Sequence, residues 1–171
     1  MIIAQLGNPI LRQQAKALST EQWKEYATFF ADLESLMLNH QGVGIAAPQV
    51  SKSLRAFIVA SSPNARYPHA PAMAPTLMLN PEIYWMSEEK EKDWEGCLSI
   101  PGIRALVPRS TKISVGYEQL DGQKIRCELS GFIARIFQHE LDHLNGIVFL
   151  DRADSHDYAT EAEYRKRLGL N

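Results

Sequence analysis

The sequence predicts an α+β domain in which antiparallel strands pack around a central, buried helix that carries a His-Glu-x-x-His pattern. Three observations lead there. Between Ser130 and Gly146, Phe132, Ile136, His139 and His143 fall on one side of a helix, and Ile133, Phe137, Leu141 and Leu144 fall on the other. A helix apolar over most of its surface is a buried helix. Immediately before it, Ile113, Val115 and Tyr117 alternate, Asp121-Gly122 supplies a turn, and Ile125, Cys127 and Leu129 alternate again. That is the pattern of a β-hairpin. No internal repeat, low-complexity run or linker divides the chain, so strands and helix share one core.

The remaining elements follow in order. Ser19 with Gln22 fits a capping box. Trp23, Tyr26, Ala27, Phe30, Leu33 and Met37 then recur at three- and four-residue spacing, predicting one helix of five turns. Gly42 is placed to stop it in the left-handed conformation. Leu54 to Ala60 reads as a strand, and Pro63 to Pro75, with four prolines, as a surface loop. Short strands are expected at Leu77–Leu79 and Ile83–Met86, and a solvated turn over the charge run Glu88–Asp93. Ser130 is placed to cap the central helix, which ends at Gly146. Tyr158, Glu161, Ala162, Arg165 and Leu168 fall at helical spacing. The expected organisation is therefore a catalytic domain over 1–152 and a helical tail over 153–171.

Composition narrows the function. At 171 residues, 45% hydrophobic and 22% charged, the chain has the make-up of a globular domain. A net charge of −2 lacks the basic excess of a nucleic-acid binder, and no sequence-specific nucleic-acid contact is expected. The apolar run Ala56-Phe57-Ile58-Val59-Ala60 is far too short to span a bilayer, so no membrane partner is expected. Met1-Ile2-Ile3-Ala4-Gln5 lacks a basic region followed by an apolar core, and so does not look like a signal peptide. Two cysteines thirty residues apart make no disulfide framework, and a cytoplasmic location is the expectation.

Chemistry concentrates in three short segments. His139 and His143 are four apart, so on a helix they project from one face and can bind one metal ion. Glu140 lies between them, where a carboxylate can take a proton from a water acidified by that metal. Two histidines do not complete a tetrahedral site that keeps one position open. Cys97, in Glu95-Gly96-Cys97-Leu98-Ser99, is the candidate third ligand. A core cysteine is the commoner fate of a free thiol, but Gly96 beside Cys97 lets backbone approach a site closely. Cys127, alternating with Ile125 and Leu129, reads as core. In Gly42-Val43-Gly44-Ile45-Ala46-Ala47-Pro48-Gln49 the small residues suit either a tight turn with Gln49 solvated or a segment packed on the metal helix. In the second case the Gln49 amide would face a developing oxyanion. His40, His69 and His156 lack partner spacing and read as surface residues. The whole points to a metallohydrolase with a Cys-His-His ligand set.

Together, and in this order, the three segments resemble the peptide deformylase family. They look like its Gly-x-Gly-x-Ala-Ala-x-Gln, Glu-Gly-Cys-Leu-Ser and Gln-His-Glu-x-x-Asp-His motifs. Leu6-Gly7-Asn8-Pro9-Ile10-Leu11-Arg12, Arg104-Ala105-Leu106-Val107-Pro108-Arg109 and Asp142-His143-Leu144-Asn145-Gly146 also look like the bacterial type. The likeness covers residues 3 to 152. It implies hydrolysis of the N-formyl group of formyl-methionyl peptides, with release of formate. It also implies one ferrous ion per chain on Cys97, His139 and His143, for which zinc or nickel can substitute. Glu140 is then the general base and acid, with the Gln49 amide and the Leu98 N–H as oxyanion donors. Gly44 and the Gly96-Cys97-Leu98 edge hold the peptide backbone, Arg104 is a further substrate-binding position, and Val43 and Ile136 line the methionine pocket with the stem of Arg135. Arg135 departs from the family, where that position is often apolar, and the departure bears on the shape of the pocket. The basic run Arg165-Lys166-Arg167 suits either a solvated helix end or ribosomal RNA, which a C-terminal helix touches in some relatives. A zinc endopeptidase would share the histidine pair but needs a downstream third ligand, and no recognisable motif supplies one. A non-catalytic relative would need neither Glu140 nor Gln49.

Overall fold

The computed structural model describes residues 1–63 and 70–169. Its elements are α1 (Thr20–Glu25), α2 (Ala27–Asn39), β1 (Gly44–Ala46), β2 (Ala56–Ser61), β3 (Met73–Met86), β4 (Lys90–Cys97), β5 (Ile100–Ser110), β6 (Lys112–Glu118), β7 (Lys124–Ser130), α3 (Gly131–Leu144), β8 (Tyr158–Thr160) and α4 (Glu161–Arg167). One sheet of five strands runs β1-β2-β3-β6-β7, and a second of three runs β4-β5-β8. Every pairing of these strands is antiparallel. The molecule is the α+β arrangement that the hairpin and the apolar helix foretell.

Helix α3 sits against both sheets. It touches β1, β2, β6 and β7 of the larger and β5 of the smaller. Ala134, Ile136, Phe137 and Leu144 of α3 share a core with Phe57, Val59, Met78, Ile113 and Val115. The rings of Phe57 and Phe137 meet edge to face with centroids 5.1 Å apart, a favoured geometry for aromatic pairs. Strand β2 is buried at every position because α2 covers its other face through Leu33 and Met37. This is why it reads as a continuous apolar run rather than an alternation. In the β6–β7 hairpin Ile113 faces Leu129, Val115 faces Cys127 and Tyr117 faces Ile125. Cys127 packs on the core, as its alternation indicates.

Several local expectations need correction. The single helix from Ser19 is two, broken at Tyr26, whose φ of −96° and ψ of 5° leave the helical region. The break lets Trp23 and Phe30 enter one apolar cluster with Leu18 and Leu79. The left-handed residue after α2 is Gln41 (φ 53°), not Gly42. Gly42 instead donates its N–H to Met37 O at 2.9 Å, satisfying an otherwise orphaned helix carbonyl. The two short strands at 77–79 and 83–86 are one long strand, β3, which absorbs Asn80 and Pro81 as an irregularity in its pairing with β6. Asn80 takes φ 46° and clasps Leu18, accepting from its N–H at 2.9 Å and donating to its carbonyl at 2.8 Å. The proline-rich loop is shorter than expected, since β3 already starts at Met73 and includes Pro75, in a stretch that β6 does not reach. Residues 64–69 of that loop, His69 among them, lie outside the described residues.

The charge run is likewise not a turn from end to end: Lys90–Asp93 opens β4. Among the described residues strand β4 has only β5 as a neighbour, and charged side chains are a common means of keeping an edge from pairing with another chain. Ser130 occupies the N-cap position of α3, but its side chain makes no capping bond. The segment beyond residue 152 is joined to the rest by sheet pairing. Strand β8 pairs with β5, Ile103 facing Thr160 and Arg104 facing Ala159, so Tyr158 is a strand residue. Helix α4 is short, and its Tyr164 is buried against Trp94 with ring centroids 5.3 Å apart.

The end of α3 is fixed by Gly146, at φ 73° and with the backbone of Arg12 pressed against it. A Cβ there would lie 2.8 Å from Arg12 C and O. Gly146→Ala is therefore strained both in its torsion and against the N-terminal segment. Its cost should be about 2 kcal/mol or more. Urea unfolding of parent and variant checks this, and an unchanged midpoint would refute the close approach.

Candidate metal centre

Two elements deliver the three ligand-type residues. Cys97 ends β4 at the tight connection to β5, where it faces Ile100. His139 and His143 sit one turn apart on α3, with ring centroids 5.1 Å apart. The ligand atoms of Cys97, His139 and His143 all lie within 4.8 Å of one another, with Cys97 Sγ 3.3 Å from His143 Nε2. His139 Nδ1 lies 2.9 Å from Glu95 Oε2, which leaves its Nε2 for the cluster. A histidine whose far nitrogen is held by a carboxylate is a common arrangement at metal sites, because the carboxylate fixes the ring and raises its basicity.

Glu95 is the hub of a buried ion network that sequence reading did not identify. Its carboxylate accepts from Arg109 Nε at 2.9 Å and Nη2 at 3.0 Å, and from Arg135 Nη1 at 3.0 Å. Arg109 also donates to Asp142, which accepts from Arg152 Nη2 at 2.7 Å. Only the placement of Glu95 two residues before Cys97 hints at this. Its partners come from other elements, and nothing in the local sequence announces them. Arg135 is turned toward this network, donating to Val107 O at 2.8 Å and Glu91 O at 2.6 Å. The charged end of Arg135 is thus occupied by β4 and β5.

The electrostatics suit a cation. Burial opposes ionisation of Cys97, but the facing His143 and a hydrogen bond with His139 outweigh it and hold the thiol well below its ordinary range. Burial likewise opposes charge on His139, but hydrogen bonds with Cys97 and Glu95 hold its imidazole well above the usual value. Burial dominates at Glu140 and, helped by the negative charge of Cys97 and Glu95, raises it to about 7. Glu95 stays far below the carboxylate range despite its burial, because His139 and Arg109 bond to it. Glu140 Oε2 and His143 Nδ1 are buried without a partner among the described residues. A thiolate, two imidazoles and an unmatched carboxylate around one point fit a divalent metal with nitrogen and sulfur ligands.

The other sequence-selected residues gather around the same point. Val43, Gly44, Gln49, Gly96, Leu98, Arg104, Ile136 and Glu140 line a cleft of about 710 Å³ with Cys97 and His139. His143 lies behind them and is fully buried. Gly44 touches Glu140 so closely that a Cβ would fall 2.3 Å from Glu140 Oε1. Gly96 makes the same allowance for Arg104, whose Nη1 would meet a Cβ at 2.2 Å. The Gln49 amide is not solvated. Its Oε1 accepts from Ala46 N–H at 2.9 Å, and its Nε2 donates to Ser99 Oγ at 3.1 Å and toward Cys97 Sγ at 3.3 Å. Its donor end is thereby aimed at the cluster. His40 and His156 are exposed, though His40 also reaches the cleft. Ile3, Ser99 and Glu161 are neighbours of the site that the sequence did not single out.

Comparison with known proteins places this geometry in context. A model of the polypeptide deformylase family matches residues 1–158. Over 170 residues the chain is 49% identical to peptide deformylase 2 of a Nostoc species, covering 99% of this chain and 95% of that one. It is 48% identical over 152 residues to peptide deformylase 2 of Shewanella oneidensis, covering 88% and 83%. Among solved structures it is similar to the Met-Ala-Ser-bound class I type b peptide deformylase of Acinetobacter baumannii. That match has a TM-score of 0.86 at 45% identity, over 89% of this chain and 97% of the other. Peptide deformylase from Thermotoga maritima superposes with a TM-score of 0.79 at 36% identity, over 89% and 96%.

The donor set and its carboxylate support predict two separable losses of metal. Cys97→Ala should purify with little metal, whereas Cys127→Ala, a change on the core face of a strand, should keep a full equivalent. Glu95→Gln keeps all three ligands but removes the charge that orients His139, and should weaken metal retention roughly ten- to hundredfold. Metal analysis after graded dialysis against a chelator reads both. Full metal in Cys97→Ala would remove that residue from the ligand set.

Proposed function

The chain belongs to the polypeptide deformylase family and is a deformylase, and from that premise we propose that it hydrolyses the N-formyl group of formyl-methionyl peptides, releasing formate. The observation that carries the reading is the seat of Glu140. Its carboxylate is pressed on Gly44, beside the Cys97-His139-His143 cluster, and lines the cleft.

Cys97, His139 and His143 would hold the metal through one sulfur and two nitrogens. When bound, the metal supplies Lewis acidity, lowering the pKa of a water and polarising a carbonyl. Glu140 accepts the proton as water adds to the formyl carbon and returns it to the amine nitrogen as the C–N bond breaks. A carboxylate raised toward neutrality by burial is suited to both transfers. The Gln49 Nε2–H and the Leu98 N–H stabilise the negative charge that develops on oxygen, an effect that can contribute about 3 kcal/mol per donor. The bond from Ala46 to Gln49 Oε1 keeps the amide from flipping its acceptor toward that oxygen. Gly44 and the Gly96-Cys97-Leu98 edge offer backbone groups that hold the peptide by hydrogen bonds, Arg104 borders Gly96, and Val43 and Ile136 form the apolar lining for the methionine side chain.

We assign the metal as ferrous iron, with zinc and nickel as substitutes, since thiolate and imidazole ligands accept all three. A cytoplasmic location agrees with two free cysteines and with the absence, among the described residues, of any helix long and apolar enough to cross a membrane. The catalytic unit is assigned to residues 1–152. The basic end of α4 reads more simply as surface than as a ribosome contact. Lys166 donates to Glu163 at 2.6 Å, and Arg167 lies over the Trp94 ring at 5.7 Å.

Formate release from a formyl-Met peptide, assayed anaerobically with iron and then with zinc or nickel, tests the reading. Absence of formate with every metal would reject it. Glu140→Gln should retain metal and lose roughly a hundred- to ten-thousandfold in kcat. Gly44→Ala should lose activity for a related reason, because its methyl group would displace the Glu140 carboxylate. If Glu140→Gln lost its metal instead, Glu140 would be a ligand and not a proton carrier.

A further inference from the structure

The Gln49 amide carries two donor hydrogens and one acceptor oxygen. The oxygen is engaged by the Ala46 N–H at 2.9 Å. One hydrogen of Nε2 is engaged by Ser99 Oγ at 3.1 Å. The other is directed toward Cys97 Sγ at 3.3 Å. Sulfur is a weak acceptor, so this second hydrogen is the one left for an oxygen that reaches the centre. The division of the two hydrogens is therefore set by what Ser99 offers.

Both partners are held by their own backbones. Ser99 lies in the tight connection between Cys97, which ends β4, and Ile100, which begins β5. It is fully buried, and its carbonyl accepts from Leu6 N–H at 2.8 Å. Gln49 sits in the single turn Ala47–Val50 directly after β1, and its carbonyl accepts from Ala4 N–H, also at 2.8 Å. The hydroxyl thus meets the amide from a fixed position. We propose that Ser99 is a positioning residue for the reaction: its hydroxyl takes one hydrogen of Gln49 Nε2 and so keeps the other aimed at the oxygen on which negative charge develops. The Ala46 bond settles which end of the amide faces the cleft, but leaves the amide free to roll about that bond. The Ser99 hydroxyl removes this freedom, and a donor aligned before the charge develops requires no reorganisation at the moment of reaction. Being fully buried, the hydroxyl is out of reach of substrate and acts through Gln49. The inference rests on the deformylase reading above.

The zinc-loaded full chain, which is diamagnetic, offers a readout that needs no substrate. The side-chain NH2 resonances of Gln49, identified by their loss in Gln49→Ala, should be protected from hydrogen exchange at least about tenfold relative to a solvated glutamine, and Ser99→Ala should remove most of that protection. With formyl-Met-Ala-Ser, Ser99→Ala should keep its metal and its KM within about twofold while kcat falls roughly five- to fiftyfold, less than the loss of an entire donor. On a Gln49→Ala background the same change should alter kcat by less than about twofold, because the serine then has nothing to orient. An equal loss in both backgrounds, or a loss that follows metal content, would overturn the proposal and leave Ser99 as a structural brace. Unchanged kcat in Ser99→Ala would overturn it as well. If Ser99→Ala did not fold, the parent alone would decide, since a Gln49 amide exchanging as fast as a solvated one is not held by Ser99. Failure of the parent to release formate would instead defeat the deformylase reading, while the Gln49 resonances would still report on Ser99, so the two failures are distinguishable.

Discussion

The structure depends on one buried carboxylate. Glu95 is 4% exposed and sits where β4, β5 and α3 meet, bonded to His139, Arg109 and Arg135. Burying an ionised group costs several kcal/mol, and leaving it with too few partners would cost more than the pairing returns. Here the carboxylate has several donors at 2.9–3.0 Å, and the charge passes on through Arg109 to Asp142 and Arg152. The network does what apolar packing cannot. It fixes the rotation of α3 against the smaller sheet, and through His139 it turns that fixed rotation into a fixed ring. Cys97, two residues along the same strand, is carried into register with the histidines by the same constraint.

Close approach is the second theme, and it explains why the site segments are rich in small residues. Gly44 gives its side-chain space to the Glu140 carboxylate, and Gly96 gives its space to the Arg104 guanidinium. Each pairing puts a charged group from one element over the bare backbone of another. The backbone thus becomes the wall of the cleft, with the functional group held against it. Neither glycine takes a left-handed torsion. What both positions require is the absence of a side chain, and alanine would be enough to displace the neighbour.

The sequence made the centre of this fold legible and left the margins obscure, for physical reasons. Helix α3 and the β6–β7 hairpin announce themselves through short-range periodicity, and four-residue spacing is enough to put His139 and His143 on one face. The pairing of Gly44 with Glu140, or of Glu95 with His139 and Arg109, joins residues far apart in the chain, and no local pattern encodes it. Strand β4 was hidden because its exposed edge carries charges where a strand usually alternates. The irregularity at Asn80 and Pro81 hid the length of β3, since turn-forming residues occur there within a continuous strand. Tyr26 breaks a helix whose apolar stripe continues across the break, so periodicity alone could not find the kink. Residues 158–160 are too few to show a strand period, and β8 is defined only by its partner β5.

One segment with no chemistry of its own draws the site segments together. Ala4 donates its N–H to Gln49 O, Leu6 to Ser99 O and Ala15 to Leu144 O, each at 2.8 Å. The first fifteen residues are thus bonded in turn to the segment that carries Gln49, to the turn after Cys97 and to the last turn of the histidine helix. Leu11, fully buried between these bonds, anchors the segment. A single backbone bond contributes only about 1 kcal/mol net, so no one of them decides the fold. Their effect is collective. Cys97, the histidine pair with Glu140, and Gln49 come from three places in the chain, and a short strap bonded to all three limits how far any of them can drift from the others. The demand on a catalytic centre is positional, about half an ångström for groups that must act together. The N-terminal strap meets that demand from behind the cleft, while the Glu95 network meets it from beneath.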